Sequence, residues 1–156
     1  MYRTFLAMIL FVGSNYIHAQ KWEKNETDDF TGEPLRITKL ETVAANRYRV
    51  RFSVIQNGDY YSLKVMHTST IADDMCKDEG TDIIFRFLDG TTHTLSPTGE
   101  IDCGERLIIY YPLSQRDIAL LRNHKIEMFR IYYSRGFIDY EMNKEDYFIR
   151  TLGFFD

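Results

Sequence analysis

Residues 47–67 read R-Y-R-V-R-F-S-V-I-Q-N-G-D-Y-Y-S-L-K-V-M-H, and this stretch decides the fold of the chain. Its first half alternates apolar side chains with arginine or serine, which is the period of a half-buried strand. Asn57-Gly58 then predicts a type I′ turn, because both residues tolerate the positive φ that this turn requires. Closing the hairpin there pairs Phe52 with Leu63 and sets apolar side chains opposite each other at nearly every step.

Two further hairpins follow the same kind of pattern. One runs over 83–95 and turns at Asp89-Gly90, and the other turns at the three-residue loop Ser134–Gly136. A first edge strand is expected over 34–42, with Leu35 and Ile37 facing inward. Neighbouring strands are joined by tight turns rather than by crossovers, which favours antiparallel pairing.

Two short helices are predicted in the C-terminal half. Ser114 and Asp117 have the spacing of a capping box ahead of a helix over 115–123. Asn143 is expected to cap a last helix over 144–152. The fold class is therefore α+β, mainly antiparallel β with three hairpins in a sheet or sandwich.

The first residues are typical of a secretory signal peptide. Arg3 precedes the apolar run FLAMILFV, and Ile17-His18-Ala19 offers a small residue at a cleavage site before Gln20. The alternative is a membrane anchor, but the run is far shorter than the roughly 20 residues that a spanning helix needs. We predict a signal peptide over 1–19, a polar lead-in over 20–33 and a single β-rich domain over 34–156. The protein is then exported, periplasmic or secreted, with no integral membrane segment after cleavage.

Charge and motifs narrow the function classes. The chain has 19 basic and 23 acidic residues, which argues against a nucleic-acid partner. It lacks the common linear signatures of hydrolases, metalloproteases and nucleotide-binding proteins. The histidines His67, His93 and His124 fall on three separate elements, so no metal site is predicted. No cofactor is predicted either.

The two cysteines form a candidate disulfide. Cys76 and Cys103 lie at equal distances from the Asp89-Gly90 turn, and an exported protein can keep a bridge. The alternative is a pair of free thiols, or a reactive thiolate beside a histidine.

A basic stripe is the first candidate ligand-binding feature. Arg47, Arg49 and Arg51 share the solvent face of the first strand, and the Asn-Gly register places Lys64 opposite Arg51. Like charges in that position destabilise a sheet, so we expect an anionic neighbour, either a ligand or an acidic loop of the chain. The alternative is an ordinary solvated strand face.

Three tyrosine doublets are the second candidate feature. Successive strand residues point to opposite faces, so one tyrosine of each doublet should face away from the core. Exposed tyrosines suit sugars and peptides, because the ring is apolar and the hydroxyl stays wet. The alternative is that helices cover this face. The outward tyrosines are predicted to be Tyr60, Tyr110 and Tyr132.

The chain also resembles a group of exported bacterial proteins. The signal peptide ending before Gln20, the lead-in 29–32 (DFTG), the turn 88–90 (LDG) and the helix start at Leu113-Ser114 carry this resemblance. It is similar to small exported, uncharacterised proteins of Bacteroidetes bacteria. The resemblance implies a Gram-negative periplasm or exterior and assigns no catalytic residue.

Three functions are compatible with these observations. The first is a non-enzymatic domain that binds a glycan or a cell-envelope protein through one sheet face. The second is a hydrolase of envelope or dietary polymers with Asp139 and Glu141 as paired carboxylates, which two acids about 5–10 Å apart in a cleft would support. The third is a purely structural or inhibitory protein.

Overall fold

The computed structural model describes residues 22–45, 48–68, 81–98, 102–103, 106–133 and 136–156, with backbone alone at 102, 103 and 133. This part of the chain forms two antiparallel sheets and two short helices, which confirms the predicted fold class. The strands are β1 (Trp22–Thr27), β2 (Pro34–Thr38), β3 (Glu41–Ala45), β4 (Arg49–Asn57), β5 (Tyr60–Thr68), β6 (Ile83–Phe87), β7 (Thr92–Leu95), β8 (Asp102–Cys103), β9 (Leu107–Leu113), β10 (Ile126–Tyr133) and β11 (Gly136–Glu141). The helices are α1 (Gln115–Asn123) and α2 (Tyr147–Leu152).

The first sheet has the order β1-β2-β4-β5-β9-β8, and β3 also pairs with β4. Strands β2 and β3 lie one after the other along the same edge of β4. Thr38 is buried where β2 ends and before β3 begins. Its hydroxyl accepts a hydrogen bond from the Val54 amide at 2.8 Å, in place of a backbone partner for that amide. Ser53 donates its hydroxyl to the Thr38 carbonyl at 2.6 Å. These bonds satisfy polar groups that a broken edge strand would leave buried without partners.

The central hairpin β4–β5 forms, but its register differs from the prediction. Phe52 pairs with Val65 rather than Leu63, and the turn is Gly58-Asp59 rather than Asn57-Gly58. Gly58 has a φ of +57°, which fits the type II′ turn with glycine first. The cause is β2, which pairs with β4 out to Asn57 and so keeps Asn57 in the strand. The change in pairing is two residues, so every side chain keeps its predicted face.

The second sheet has the order β11-β10-β6-β7. The predicted hairpin forms and turns at Gly90, which has a φ of +83°, while the Asp89 carboxylate accepts from the Thr91 amide at 2.9 Å. Its loop is one residue longer than the predicted Asp89-Gly90 turn, since Leu88 also lies in it and Arg86 pairs with Thr92. Strands β10 and β11 pair out to Tyr133 and Gly136. Gly136 is therefore the first residue of β11, and the predicted three-residue loop was one residue too long.

The inner faces of the two sheets pack against each other around Phe52. Its ring centroid lies 6.2 Å from that of Phe85 and 5.1 Å from that of Phe129, both on the second sheet. It also lies 5.8 Å from the rings of Tyr147 and Phe148 on α2. One side chain thus joins both sheets and the last helix, and the core is a sandwich closed by α2.

Helix α1 has the predicted start. The Ser114 hydroxyl accepts from the Asp117 amide at 3.2 Å, and the Asp117 carboxylate accepts from the Ser114 amide at 2.8 Å. These two bonds complete the capping box. Ile118 and Leu121 are buried, as the helical period predicted.

Helix α2 starts later than predicted. It begins at Tyr147 rather than Lys144, and the Asn143 amide donates to the carbonyl of Val43 at 2.8 Å. Asn143 therefore ties the end of the second sheet to β3 instead of capping the helix. A short 3-10 turn, Gly153–Phe155, follows α2.

The predicted loose lead-in was wrong in its first half. Strand β1 pairs antiparallel with β2, and Trp22 packs edge-on against Phe155 at 5.0 Å and Phe154 at 6.3 Å. An apolar anchor at its first residue and a ladder along its length hold this otherwise polar strand in the sheet. The ordered domain therefore extends back to Trp22 rather than beginning at Pro34.

Candidate functional site

The outer face of the first sheet carries most of the predicted ligand-binding residues. The register aligns Thr42, Arg51, Met66 and Ile108 in one cross-strand row, because residues paired across antiparallel strands share a face. The next row holds Ser53, Lys64 and Tyr110, and Arg49 lies beyond Arg51 on the same strand. We call this surface, centred on Arg49, Arg51, Lys64 and Tyr110, the basic face.

Lys64 does not lie directly opposite Arg51, as the predicted register had placed it. Lys64 lies opposite Ser53, and Arg51 lies opposite Met66, so the two cations are diagonal neighbours rather than a direct pair. The shifted turn of the central hairpin is the reason. A diagonal separation of about 7–8 Å weakens the repulsion that the predicted register would have produced.

The cations of the basic face have no anionic partner in the part of the chain that the structure describes. Arg49, Arg51 and Lys64 form no ion pair with any residue in the described ranges. The ammonium of Lys64 lies 6.0 Å from the ring centroid of Tyr110, at the outer limit of a cation–π contact. On the same sheet, Lys24 pairs with Glu26 at 2.6 Å, but both belong to the edge strand β1.

Apolar side chains separate these cations. Met66 lies between Arg51 and Ile108 in the register and is 6 % exposed, and Ile108 and Ile55 are half-buried. Ile37 pairs with Ile55 and so shares this outer face. The expectation that Leu35 and Ile37 face inward was therefore wrong, because their pairing with β4 sets the opposite alternation. The result is an apolar floor, and the cations above it have no ion-pair partner among the residues that the structure describes.

The outer face of the second sheet has a different composition. Tyr132 pairs with Phe137, and Arg130 pairs with Asp139 in the adjacent row. Tyr132 is 37 % exposed and Phe137 is 48 % exposed. We call this surface, defined by Arg130, Tyr132, Phe137 and Asp139, the aromatic face.

The charges of the aromatic face are paired within the protein. Arg130 donates through Nε and Nη2 to the two carboxylate oxygens of Asp139 at 2.6 and 2.8 Å, which is a bidentate pair. These hydrogen bonds hold the pKa of Asp139 below its usual value. The guanidinium carbon of Arg130 lies 3.7 Å from the ring centroid of Phe137. Arg86, one row away, pairs with Glu127 at 2.8 Å.

The predicted site residues therefore do not form one site. Tyr132 lies on the aromatic face, on the opposite side of the sandwich from Arg49, Arg51 and Lys64. Tyr60 has the alternation of the basic face and is 82 % exposed, but it lies four residues from Lys64, about 13 Å along the strand. Arg47 and Cys76 lie outside the described residues, so the Cys76–Cys103 bridge stays a prediction.

The histidines have three separate environments. His93 Nε2 lies 2.7 Å from the carboxylate of Asp117, and His124 Nδ1 lies 2.9 Å from the carbonyl of Leu120. His67 Nε2 makes a short hydrogen bond with the hydroxyl of Tyr140. Within the described ranges, no group of three or more histidine, cysteine or acidic residues is placed to hold a metal ion.

His67 joins the two sheets from inside the core. It lies on β5, its partner Tyr140 lies on β11, and its ring is also 5.5 Å from that of Tyr48. His67 is 1 % exposed, and its Nδ1 has no hydrogen-bond partner among the described residues. Burial lowers the pKa of His67 to about 4, so the side chain is neutral at physiological pH.

Sequence reasoning missed the apolar floor and the arginine–phenylalanine stack. The floor depends on which neighbours β4 receives, and that is a long-range property. The stack had no local signal either, because the predicted loop over 134–136 sets Arg130 opposite Tyr140, and Arg130 meets Asp139 only in the observed register. In the described residues, no helix has the length and apolar character needed to cross a membrane.

Comparison with known proteins gave no relative. No protein-family model, curated protein or solved structure matches the chain.

Proposed function

We propose that this protein is an exported, non-enzymatic domain that binds an acidic glycan through the basic face. The observation that carries the proposal is a set of three cations on one sheet face, Arg49, Arg51 and Lys64, which form no ion pair with any described residue. The chain is acidic overall, with a net charge of −4. Acidic partners were thus available to these cations, but none occurs beside them among the described residues.

The charge pattern favours an anionic ligand. Several basic side chains elsewhere in the domain are neutralised locally, as in the pairs Lys144–Glu41, Arg122–Asp156 and Arg86–Glu127. What sets the basic face apart is that three cations without an ion pair among the described residues lie close together on one sheet face. Unpaired cations on one surface create a local positive potential that attracts an anion from solution. Arginine also presents several fixed donors that match the two oxygens of a carboxylate or sulfate.

The apolar floor favours a glycan among the anionic ligands. A sugar ring has an apolar C–H face and a polar rim, so a glycan can lie on the partly exposed Ile55, Ile108 and Tyr110 while its acid groups reach the cations. Tyr110 is 38 % exposed and offers both a ring face and a hydroxyl. An extended polymer also matches a broad, flat sheet face better than a small ion does.

The N-terminal region supports export. The signal peptide pattern ends at Ala19, and Trp22, the first residue that the structure describes, packs against Phe155. Cleavage at the predicted position leaves strand β1 intact. The acidic polymers of a bacterial envelope or of the medium are then accessible to the protein.

The hydrolase alternative is less favoured. A general acid needs a raised pKa so that it carries a proton at neutral pH. Asp139 has the opposite property, because its bidentate pair with Arg130 keeps its pKa low. Asp139 also lies on the outer face of a sheet rather than in a cleft.

The test is affinity electrophoresis of the chain from Gln20 to Asp156 in gels that contain polygalacturonate, alginate, chondroitin sulfate or neutral dextran. We expect retardation by at least one acidic polymer. The double variant Arg49→Gln/Arg51→Gln should bind about 100-fold more weakly, since each lost charge-assisted bond contributes about 1.5 kcal/mol.

The matched control is Arg86→Gln/Arg116→Gln, which changes the net charge equally at other surfaces. It should retain binding. Equal loss in both double variants would reduce the effect to total charge and contradict a site on the basic face. An absence of retardation by all acidic polymers would discard the glycan and point to an envelope protein as the partner.

A further inference from the structure

We infer that the aromatic face is a second, separate binding site, and that it takes an uncharged sugar. The four side chains Arg130, Tyr132, Phe137 and Asp139 form it. This inference does not depend on the basic face, because it uses other residues on the opposite side of the sandwich.

The aromatic surface is exposed and held in place. The rings of Tyr132 and Phe137 are 6.0 Å apart and tilted by 60° to each other. The guanidinium of Arg130 packs on Phe137, with its central carbon 3.7 Å from the ring centroid. These contacts limit the rotamers of both rings, so a ligand that stacks on them loses little side-chain entropy on their account.

The ion pair offers hydrogen bonds as well as charge. A guanidinium has five N–H donors, and Arg130 uses two of them for Asp139. A carboxylate accepts about four hydrogen bonds, and the same pair uses two of these positions. Because both side chains are 36 % exposed, free donors and acceptors lie side by side at the surface.

A sugar hydroxyl group both donates and accepts, so two neighbouring hydroxyls match this combination of groups. The C–H face of the same sugar ring can stack on Phe137 or Tyr132, which remain partly exposed. An aromatic surface beside a small number of placed polar groups is the usual composition of a small-molecule site.

The pairing of Arg130 with Asp139 makes the aromatic face unsuitable for the acidic glycans proposed for the basic face. Asp139 neutralises Arg130, so an anion gains no net attraction at this position and has to displace a bidentate carboxylate. A cation meets the reverse obstacle at Asp139. An uncharged ligand disturbs neither partner, and this selects neutral sugars over acidic ones.

The experiment is NMR titration of the ¹⁵N-labelled protein with neutral hexasaccharides, namely cellohexaose, laminarihexaose, maltohexaose, xylohexaose and mannohexaose. We expect at least one of them to shift amide signals of β10 and β11 selectively. Phe137→Ala should weaken this binding by about tenfold or more through loss of the stacking surface. Asp139→Asn should weaken it as well, because it removes acceptor positions and the fixed orientation of Arg130.

The double variant Arg49→Gln/Arg51→Gln is the discriminating control. It should leave neutral-sugar binding unchanged while it removes binding to acidic polymers. The inference is overturned if none of the hexasaccharides shifts β10 and β11 signals, or if Phe137→Ala binds as the wild type does. Either result leaves the test of the basic face unaffected.

Discussion

The two outer faces of this sandwich have similar architecture but differ in whether their basic side chains are paired with carboxylates. Each is an antiparallel sheet surface with arginine on a central strand and exposed aromatic side chains near it. On the aromatic face, Arg130 and Arg86 both have carboxylate partners. On the basic face, Arg49, Arg51 and Lys64 have none among the described residues. The contrast suggests that local pairing, rather than the number of charges, distinguishes a surface available to an anion.

The largest expected effect concerns the core that holds the two faces together. Phe52→Ala should lower the free energy of unfolding by about 3–5 kcal/mol, because it leaves a cavity where both sheets and α2 meet. Chemical denaturation followed by circular dichroism measures this. Ile55→Ala, on the outer side of the same strand, is the control and should cost clearly less. Equal costs would mean that β4 does not have a distinct buried side.

The second effect concerns His67, which is buried between the two sheets. His67 has a pKa of 6.5 in the unfolded chain and of about 4 in the folded protein, so between these pH values the unfolded chain binds a proton that the folded protein does not. Stability should therefore fall as the pH drops from 6.5 to 4, by about 2 kcal/mol at pH 5 relative to pH 7.5. Thermal or urea unfolding across this range measures it. His67→Gln should flatten this part of the profile, and an unchanged slope in that variant would refute the assignment.

The third prediction makes the basic face resemble the aromatic face. Thr42 lies directly across from Arg51, so Thr42→Glu supplies Arg51 with a cross-strand carboxylate. Binding to acidic polymer should weaken by about tenfold, since the new carboxylate competes for one charge-assisted bond. Thr42→Gln, which has the same shape without the charge, should bind as the wild type does. If both variants lose binding equally, pairing is not the property that matters.

The smallest effect is the reverse change on the aromatic face. Asp139→Asn removes the partner of Arg130 and should destabilise the protein by less than about 1 kcal/mol, because the pair is partly exposed. The freed Arg130 should give the aromatic face a weak affinity for acidic polymer, measurable in the Arg49→Gln/Arg51→Gln background. No gain in that background would show that an unpaired arginine alone is insufficient.

Local patterns in the sequence predicted much of this fold. The alternation in β4, the glycine turn at Gly90 and the capping box at Ser114 each depend on residues within a few positions of one another. All three occur in the structure. Side chains were assigned to the correct face of the central hairpin because a slip of two residues does not change a period of two.

The features that the sequence predicted wrongly depend on contacts between segments that are far apart in the chain. The turn at Gly58 moved by one residue because β2 pairs with β4, and β1 is ordered because Trp22 finds Phe155 at the far end of the chain. The candidate site divided for the same reason. Tyr110 and Tyr132 look equivalent in sequence, but they belong to different sheets, and only the sheet order assigns them to opposite surfaces.

The packing of Trp22 on Phe155 has a mechanical consequence. It fastens the first strand to the last turn, so a force that pulls the two ends of the domain apart loads these rings first. Once they separate, β1 peels from β2 beginning at the pair Trp22–Thr38, and its hydrogen bonds break one after another rather than together. The domain should therefore open by unzipping from its edge at low force, with β4 and β5 the last strands to yield.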